Sequence, residues 1–207
     1  MLEGIEIIRY DKTLQRAFKW IIENSQSNHL PYHNLNHLLT VLKYCDYISN
    51  GELIYYDKRG ELHLAALFHD VNHSGGKLSD DLNVLNAMES FKVFSDQENL
   101  NVSFSNKVMS LIECTQYPYH IPYEDLTLNH KIIRDADMMQ AFEYNWIHQS
   151  TLGLASEFNI PVVDFMAKQR VFLENVSYYT DTAINFKKER WNKVMHEFRI
   201  LEISIKG

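Results

Sequence analysis

Two short stretches of this chain combine histidine with other side chains that bind metal ions. The first is Tyr32–His37, with the sequence YHNLNH, and the second is Phe68–His73, with the sequence FHDVNH. Six of the ten histidines lie between positions 29 and 73. Neutral imidazole together with carboxylate suits Zn, Mn, Fe or Ni, whereas Mg and Ca prefer oxygen ligands alone. The two stretches therefore predict a site for a divalent cation, whose identity they leave open.

Helical geometry would bring these side chains together. Residues four apart lie on one face of an α-helix, so a helix through the first stretch places His33 beside His37. A second helix that ends near Asp70 would place His69 and Asp70 about 100° apart around its axis, on either side of one point beyond the helix end. That point is the predicted position of the cation.

The elements expected to carry these residues are helices. Glycine (7) and proline (4) are scarce, and Leu, Ile and Phe recur every three to four residues. We expect an all-α, multi-helix fold that forms a single domain over residues 1–207. Predicted helices cover residues 13–24, 31–50, 60–70, 105–116, 131–143, 144–154, 162–178 and 183 to about 201, and one more begins at Ser79 or Asp80.

Charge and cysteine content exclude several classes of protein. A net charge of −7 and a pI near 5.8 disfavour nucleic acid or an anionic membrane as a partner, because Lys and Arg carry such contacts. The two cysteines, Cys45 and Cys114, form no CxxC motif and predict no disulfide framework. No apolar run reaches membrane length, and charged residues interrupt the N-terminal segment, so we expect a cytoplasmic protein.

Two loops are candidates to border the site. Residues 72–77 include Gly75 and Gly76, which would let backbone N–H groups approach a ligand. Residues 117–123 contain three tyrosines, two prolines and His120. We expect this second loop to form part of the pocket wall, although exposed tyrosines in a long connection also occur without function. The role of His120 stays open.

A histidine, a His-Asp pair and a later aspartate form the signature of the HD superfamily of metal-dependent phosphohydrolases. This chain resembles that superfamily over most of its length, through His37, His69–Asp70 and Asp137. The resemblance implies an all-α HD-domain fold and a metal-dependent hydrolytic activity. The chain length is similar to that of the small, single-domain predicted HD phosphohydrolases of bacteria and phages.

The two histidine stretches are also similar to those of the cyclic-nucleotide phosphodiesterases. In those enzymes the second stretch ordinarily reads HDVDHPG, and this chain departs from it at Asn72 and Ser74. By this similarity His33 matches the phosphodiesterase proton donor. An imidazole can carry a proton near neutral pH, so His33 could protonate a leaving alkoxide.

The resemblance also assigns the ligands. The first cation would be bound by His37, His69, Asp70 and Asp137. Asp70 would bridge to a second cation where one binds, and we count it with His33 as catalytic. Helical periodicity does not choose between Asp135 and Asp137, and the resemblance selects Asp137.

Three further residues could support the ligands or bind the substrate. We expect His73 to orient a ligand or a water molecule, with a direct bond to a second cation as the alternative. Lys77 and Arg134 could each hold a phosphate oxygen, although a solvated or structural role is supported at least equally. Arg134 lies three residues before Asp137 and could instead pair with it.

These expectations define a metal-dependent phosphohydrolase with one or two divalent ions from among Mn, Mg, Fe, Ni, Co and Zn. The ion would lower the pKa of a bound water and polarise a phosphoryl oxygen. The resemblance implies a small nucleotide as substrate, cyclic or not and either a phosphomonoester or a phosphodiester. The tyrosines of residues 117–123 would stack on its base.

Two other functional classes stay open. Some HD-fold proteins are di-iron oxygenases, and His73 or His120 could supply the extra iron ligands that such sites need. A catalytically silent module could instead keep the pocket in order to sense a nucleotide. The assembly state is also open, with a homodimer as one expectation.

Overall fold

Helices make up all the regular structure of the computed structural model, which describes residues 2–206 apart from the side chains of Leu2 and Lys206. These residues contain no strand, which confirms the all-α prediction. The α-helices are α1 (Leu2–Arg9), α2 (Lys12–Asn24), α3 (Leu35–Gly51), α4 (Gly60–Phe68), α5 (Asp80–Gln97), α6 (Val102–Glu113), α7 (Leu128–Met138), α8 (Leu154–Glu157), α9 (Val162–Asn175) and α10 (Asp181–Lys206).

Helix α4 lies at the centre of the core. Every residue from Leu62 to Phe68 is buried, so this helix is buried on all sides rather than on one face. It packs against α2, α3 and α6. Ala65 and Ala66 are both fully buried, and their small side chains allow neighbouring helices to approach closely. The end of α4, where the His-Asp pair lies, is thereby fixed in the middle of the molecule.

The sequence does not predict α1, which is eight residues long. This helix packs against α2 and α3. Gly4 makes the approach to α3 possible, because a Cβ atom at this position would lie 2.6 Å from the carbonyl oxygen of Leu39. Tertiary contact rather than a long periodic pattern therefore stabilises α1.

Helix α3 begins later than the sequence predicts. Its N-cap is Asn34, whose side chain accepts hydrogen bonds from the backbone N–H groups of Asn36 and His37 at 2.8 and 3.4 Å. The residues from Pro31 to Asn34 are not helical. The prediction that His33 and His37 share one helix face is therefore wrong, because the Asn34 cap separates them.

Irregular helical turns connect α7 to α9. A 3₁₀ turn (Met139–Phe142) follows α7 directly, and a π-helix (Ile147–Gly153) leads into α8. The sequence predicts two regular helices in this region, over 131–143 and 144–154. A π-helix has a wider turn than an α-helix, and such turns occur often at functional sites. Gln140, Gln149 and Glu157 lie in these segments.

Other predicted boundaries agree more closely. Helix α5 begins at Asp80 with Ser79 as its N-cap, and α2 begins at Lys12, one residue before the predicted start. Cys45 and Cys114 are both buried and free. Among the described residues, no helix is both long and apolar enough to span a membrane.

Candidate metal centre

Three helix ends bring four potential ligands together. These residues, the His/Asp cluster, are His37 in the first turn of α3, His69 and Asp70 directly after α4, and Asp137 near the end of α7. Their nearest ligand atoms all lie within 4.8 Å of one another. His37 Nε2 is 3.2 Å from His69 Nε2 and 3.0 Å from Asp70 Oδ2.

The spacing within the His/Asp cluster fits a single ion. Asp137 Oδ1 lies 3.3 Å from His37 Nε2 and 3.5 Å from His69 Nε2, and Asp70 Oδ2 lies 3.2 Å from His69 Nε2. Donor atoms bound at about 2.0–2.2 Å to one ion are themselves separated by about 3.0–3.5 Å. Two imidazole nitrogens and two carboxylate oxygens are therefore compatible with binding of a divalent ion.

The far nitrogen of each imidazole has a fixed partner. His37 Nδ1 lies 2.6 Å from Gln140 Oε1, and His69 Nδ1 lies 2.9 Å from the carbonyl oxygen of Ala66. Both partners can only accept, so each Nδ1 carries a proton and donates it. The Nε2 atoms are thus left to face the carboxylates, where each can hold a proton or bind an ion.

The charges in the His/Asp cluster favour bound cations. Burial lowers the pKa of His37, but hydrogen bonds to Asp137 and Asp70 outweigh it and raise the pKa to about 9. Burial raises the pKa of Asp137, but hydrogen bonds to His37 and His69 outweigh it and lower the pKa to about 2. The carboxylates stay ionised near neutral pH and require positive charge beside them, from protons or from a divalent ion.

The structure distinguishes the two candidate aspartates on α7. Asp137 joins the His/Asp cluster. The Asp135 carboxylate instead accepts the backbone N–H groups of Tyr179 and Thr180, at 2.9 and 2.8 Å, and the Thr180 hydroxyl at 2.8 Å. Burial raises the pKa of Asp135 to about 6. Asp135 is therefore a structural residue that holds the start of α10.

A second group of polar residues adjoins the His/Asp cluster. This His33 group consists of His33, His73 and Glu157. Glu157 Oε1 forms a short hydrogen bond with His33 Nδ1, while Oε2 accepts the backbone N–H groups of Tyr32 and His33 at 2.9 and 3.0 Å. The other ring nitrogen, His33 Nε2, lies 3.9 Å from Asp70 Oδ2. Glu157 thereby holds His33 with one nitrogen facing the His/Asp cluster.

The geometry of the His33 group suits a hydrogen-bonded network better than a second ion site. The rings of His33 and His73 are stacked, with centroids 3.6 Å apart and planes inclined by 25°. Imidazole binds an ion in its ring plane, and stacked rings direct their lone pairs side by side rather than at one point. His73 Nδ1 also accepts the N–H of Gly75 at 3.1 Å. Burial and the adjacent His33 charge lower the pKa of His73 to about 4, so this ring is neutral.

A cavity of about 330 Å³ opens beside both groups. Its polar end is formed by Asp70, Asp137 and His33. The remaining wall is largely apolar, and it includes Leu154, Phe158, Phe165 and Phe172. The wall also includes the polar side chains of Asp80, Thr115, Tyr117, Lys168 and Gln169. The cavity thus connects the His/Asp cluster and His33 to an aromatic compartment, formed by Phe158, Phe165 and Phe172.

The two cationic side chains that were candidates to hold a phosphate oxygen do not line the cavity. Arg134 is buried, and its guanidinium donates to the carbonyl oxygens of Cys114 and Ile121 and lies 4.1 Å from the ring centre of Tyr119. It neither pairs with Asp137 nor lines the cavity, so its role is structural. Lys77 is exposed and does not line the cavity, whereas Lys168 does.

The loop of residues 117–123 contributes less to the cavity wall than the sequence predicts. Only Tyr117 among its residues lines the cavity. Tyr123 stacks instead on Tyr179, with ring centres 5.8 Å apart. His120 is exposed and joins neither the His/Asp cluster nor the His33 group. The aromatic wall comes mainly from α9 and from Phe158, which sequence reasoning did not select.

Sequence reasoning also missed Gln140 and Glu157. Gln140 lies three residues after Asp137, a spacing that could have suggested a partner on the same side of the helical segment. Glu157 belongs to no motif and meets His33 only through the fold. Its role has no signal in the sequence alone.

Comparisons with solved structures identify the fold. A crystal structure of a predicted HD superfamily hydrolase from an uncultured Thermotogales bacterium matches with a TM-score of 0.64 and 20% identity, over 98% of each chain. A protein from Listeria innocua matches with a TM-score of 0.64 and 19% identity, over 98% of this chain and 97% of that chain. No protein-family model matches, and no curated protein matches significantly. The chain therefore shares the all-α fold of these two structures, one of which is named a predicted HD superfamily hydrolase, as the resemblance of its His and Asp pattern implies.

Proposed function

We propose that this protein is a metal-dependent hydrolase of a phosphoester, with a small nucleotide as substrate. The observation that carries the proposal is the convergence of two imidazole Nε2 atoms and two carboxylates on one point beside the cavity. A divalent ion held there by His37, His69, Asp70 and Asp137 would activate water and polarise a phosphoryl oxygen.

His33 is the general acid in this proposal. Its Nδ1 donates to Glu157, so the Nε2 proton is the one available to a leaving group in the cavity. The Glu157 carboxylate stabilises the protonated ring before transfer and keeps Nδ1 protonated after it. The neutral His73 stacked on the same ring fixes its plane. An acid is needed because an alkoxide is a poor leaving group.

The aromatic compartment supports a substrate that carries a planar base. Phe158, Phe165 and Phe172 offer ring faces and edges to a nucleobase. Gln169 lines the same compartment, is 4% exposed and has a buried Nε2 without a hydrogen-bond partner among the described residues. An unpaired buried amide is costly, so a rotation of this side chain that brings its N–H group to an acceptor on a bound ligand would be favoured.

The charge of the cavity limits the number of phosphate groups that a substrate can carry. Lys168 is the sole lysine or arginine among the described residues that line it, whereas Asp70, Asp80 and Asp137 supply carboxylates. One phosphoryl group facing the His/Asp cluster is compatible with this balance. A chain of several phosphates would need more cationic partners.

Phosphoester hydrolysis is better supported than the di-iron oxygenase alternative. His120 is exposed and belongs to neither polar group, and His73 is stacked on His33 rather than directed at the His/Asp cluster. His120 therefore offers no ligand to the His/Asp cluster, and the stacking disfavours His73 as a ligand of a second ion.

The test begins with the metal content of protein purified without added metal. Cyclic nucleotides, nucleoside mono- and triphosphates and generic phosphoesters are then assayed with Mn, Mg, Ni, Co and Zn. Asp70→Ala should abolish turnover, and Asp81→Ala, which alters an exposed carboxylate on α5, should preserve it. Absence of bound metal together with absence of metal-dependent turnover would refute the proposal. Activity that survives in Asp70→Ala would place the active site elsewhere.

A further inference from the structure

The hydrogen bonds of His37 continue beyond its first partner. Gln140 Oε1 lies 2.6 Å from His37 Nδ1, and Gln140 Nε2 donates to Gln149 Oε1 at 3.3 Å. Gln140 is 1% exposed, and Gln149 lies in the π-helix Ile147–Gly153. Two side-chain amides therefore connect this π-helix to one imidazole of the His/Asp cluster.

The direction of the Gln140 amide decides which nitrogen of His37 carries the proton. With Oε1 toward the ring, Nδ1 must donate, and Nε2 is free to face the cluster point. With the amide reversed, its NH₂ group would face Nδ1. A neutral ring would then place its proton on Nε2, the atom that must be bare to bind an ion.

His69 does not share this dependence. Its Nδ1 donates to the backbone carbonyl of Ala66 at 2.9 Å, and a helix carbonyl cannot reverse. Of the two imidazoles in the His/Asp cluster, only His37 has a partner at Nδ1 that is a side-chain amide. Such an amide can present either its oxygen or its NH₂ group to the ring.

We propose that Gln140, held by Gln149, is the positioning residue that keeps His37 in its ion-binding tautomer. The inference rests on the proposed metal site. Gln149 acts on the far end of the Gln140 amide: an acceptor there keeps Nε2 of Gln140 directed away from His37. Outer partners of metal-binding histidines commonly fix the tautomer and ring orientation. Here Gln140, in the 3₁₀ turn, fixes the His37 ring, and Gln149, in the π-helix, holds Gln140.

Substitutions at position 149 can select the direction of the amide. Gln149→Glu supplies only an acceptor and should keep Zn²⁺ affinity within about threefold of the unsubstituted protein. Gln149→Lys supplies only a donor, favours the reversed Gln140 amide and should weaken Zn²⁺ binding by about tenfold or more. Gln149→Met removes both functions without adding charge and should fall between them. His148→Lys is the charge control, because it adds the same charge at an exposed neighbour.

The experiment combines two readouts on the full chain. Competition with a chromophoric chelator measures Zn²⁺ affinity. Nitrogen-15 NMR of metal-free protein in alkaline buffer measures which nitrogen of His37 carries the proton. The Asp70 and Asp137 carboxylates face His37 Nε2 in every variant, so the comparison between variants isolates the effect of the amide. The fraction of His37 protonated at Nδ1 should be similar in the unsubstituted protein and in Gln149→Glu and lower in Gln149→Lys, while His69 should not change.

The outcomes separate the inference from the function. An unchanged His37 tautomer and affinity in Gln149→Lys would overturn the inference, as would an equal loss of affinity in His148→Lys. If the unsubstituted protein binds no Zn²⁺ or other ion, the proposed function fails, and the NMR measurement still decides whether the amide pair sets the tautomer.

Discussion

A partly buried hydrogen bond joins His33 Nδ1 to Glu157 Oε1 across 124 residues of sequence. It connects the turn before α3 to the short helix α8, and the second oxygen of Glu157 binds the backbone of the same turn. One carboxylate therefore positions both the ring and the peptide that carries it. In the proposed mechanism this residue keeps the acid aimed at the cavity.

Replacing Glu157 with Gln should lower turnover by about 10²-fold while the bound metal is retained. The new NH₂ group would have to face either the protonated ring nitrogen or two backbone N–H donors, so the contact cannot be fully satisfied. Stability should fall by about 1–3 kcal/mol for the same reason. Glu174→Gln alters a half-exposed glutamate on α9 and serves as the control. Unchanged turnover in Glu157→Gln would remove this residue from the mechanism.

The two aspartates of α7 should respond differently to substitution. Asp137→Ala removes an ion ligand and should abolish metal binding. Asp135→Ala removes the acceptor for the Tyr179 and Thr180 backbone and should cost about 1–3 kcal/mol of stability, with the metal retained. Metal analysis and chemical denaturation of both variants check this. Loss of metal in Asp135→Ala with full retention in Asp137→Ala would reverse the assignment.

The pH dependence of stability should reveal the charge of the His/Asp cluster. The pKa of His37 is raised to about 9 in the folded protein, above the ordinary value of 6.5, so between these values the folded state binds more protons than the unfolded state. This stabilisation is complete below pH 6.5 and is lost as the pH rises through 9. The melting temperature of metal-free protein should therefore fall over this range, and the fall should be smaller in His37→Gln. A melting temperature that rises between pH 6.5 and 9 would contradict the charge assignment.

Gln169 should influence which substrate is used. Gln169→Leu keeps the compartment filled but removes the unpaired donor, so it should relax discrimination between bases by about tenfold without loss of metal. The ratio of kcat/KM for two nucleotides that differ only in the base measures this. Asn175→Leu, near the exposed end of α9, is the control. Equal ratios in Gln169→Leu and the unsubstituted protein would exclude a role in base selection.

The sequence predicts the helices and the His/Asp cluster better than the surroundings of the cluster. Ligands such as His69 and Asp70 lie at helix ends that periodicity can place, and the family resemblance adds Asp137. The Asn34 cap overrides the helical pattern around His33, because a side-chain acceptor competes with the extra helical turn. The position of Glu157 follows from the π-helix that precedes α8, and its contact with His33 joins distant segments of the chain. Neither feature has a local signature in the sequence.

If His37 binds the ion while His33 donates a proton, metal analysis of three proteins should distinguish the two residues. The unsubstituted protein, His37→Ala and His33→Ala are purified identically, and bound metal is measured per chain. We expect metal in the unsubstituted protein and in His33→Ala, which should lose turnover, and loss of metal in His37→Ala. Metal retained in His37→Ala, or lost in His33→Ala, would contradict this assignment.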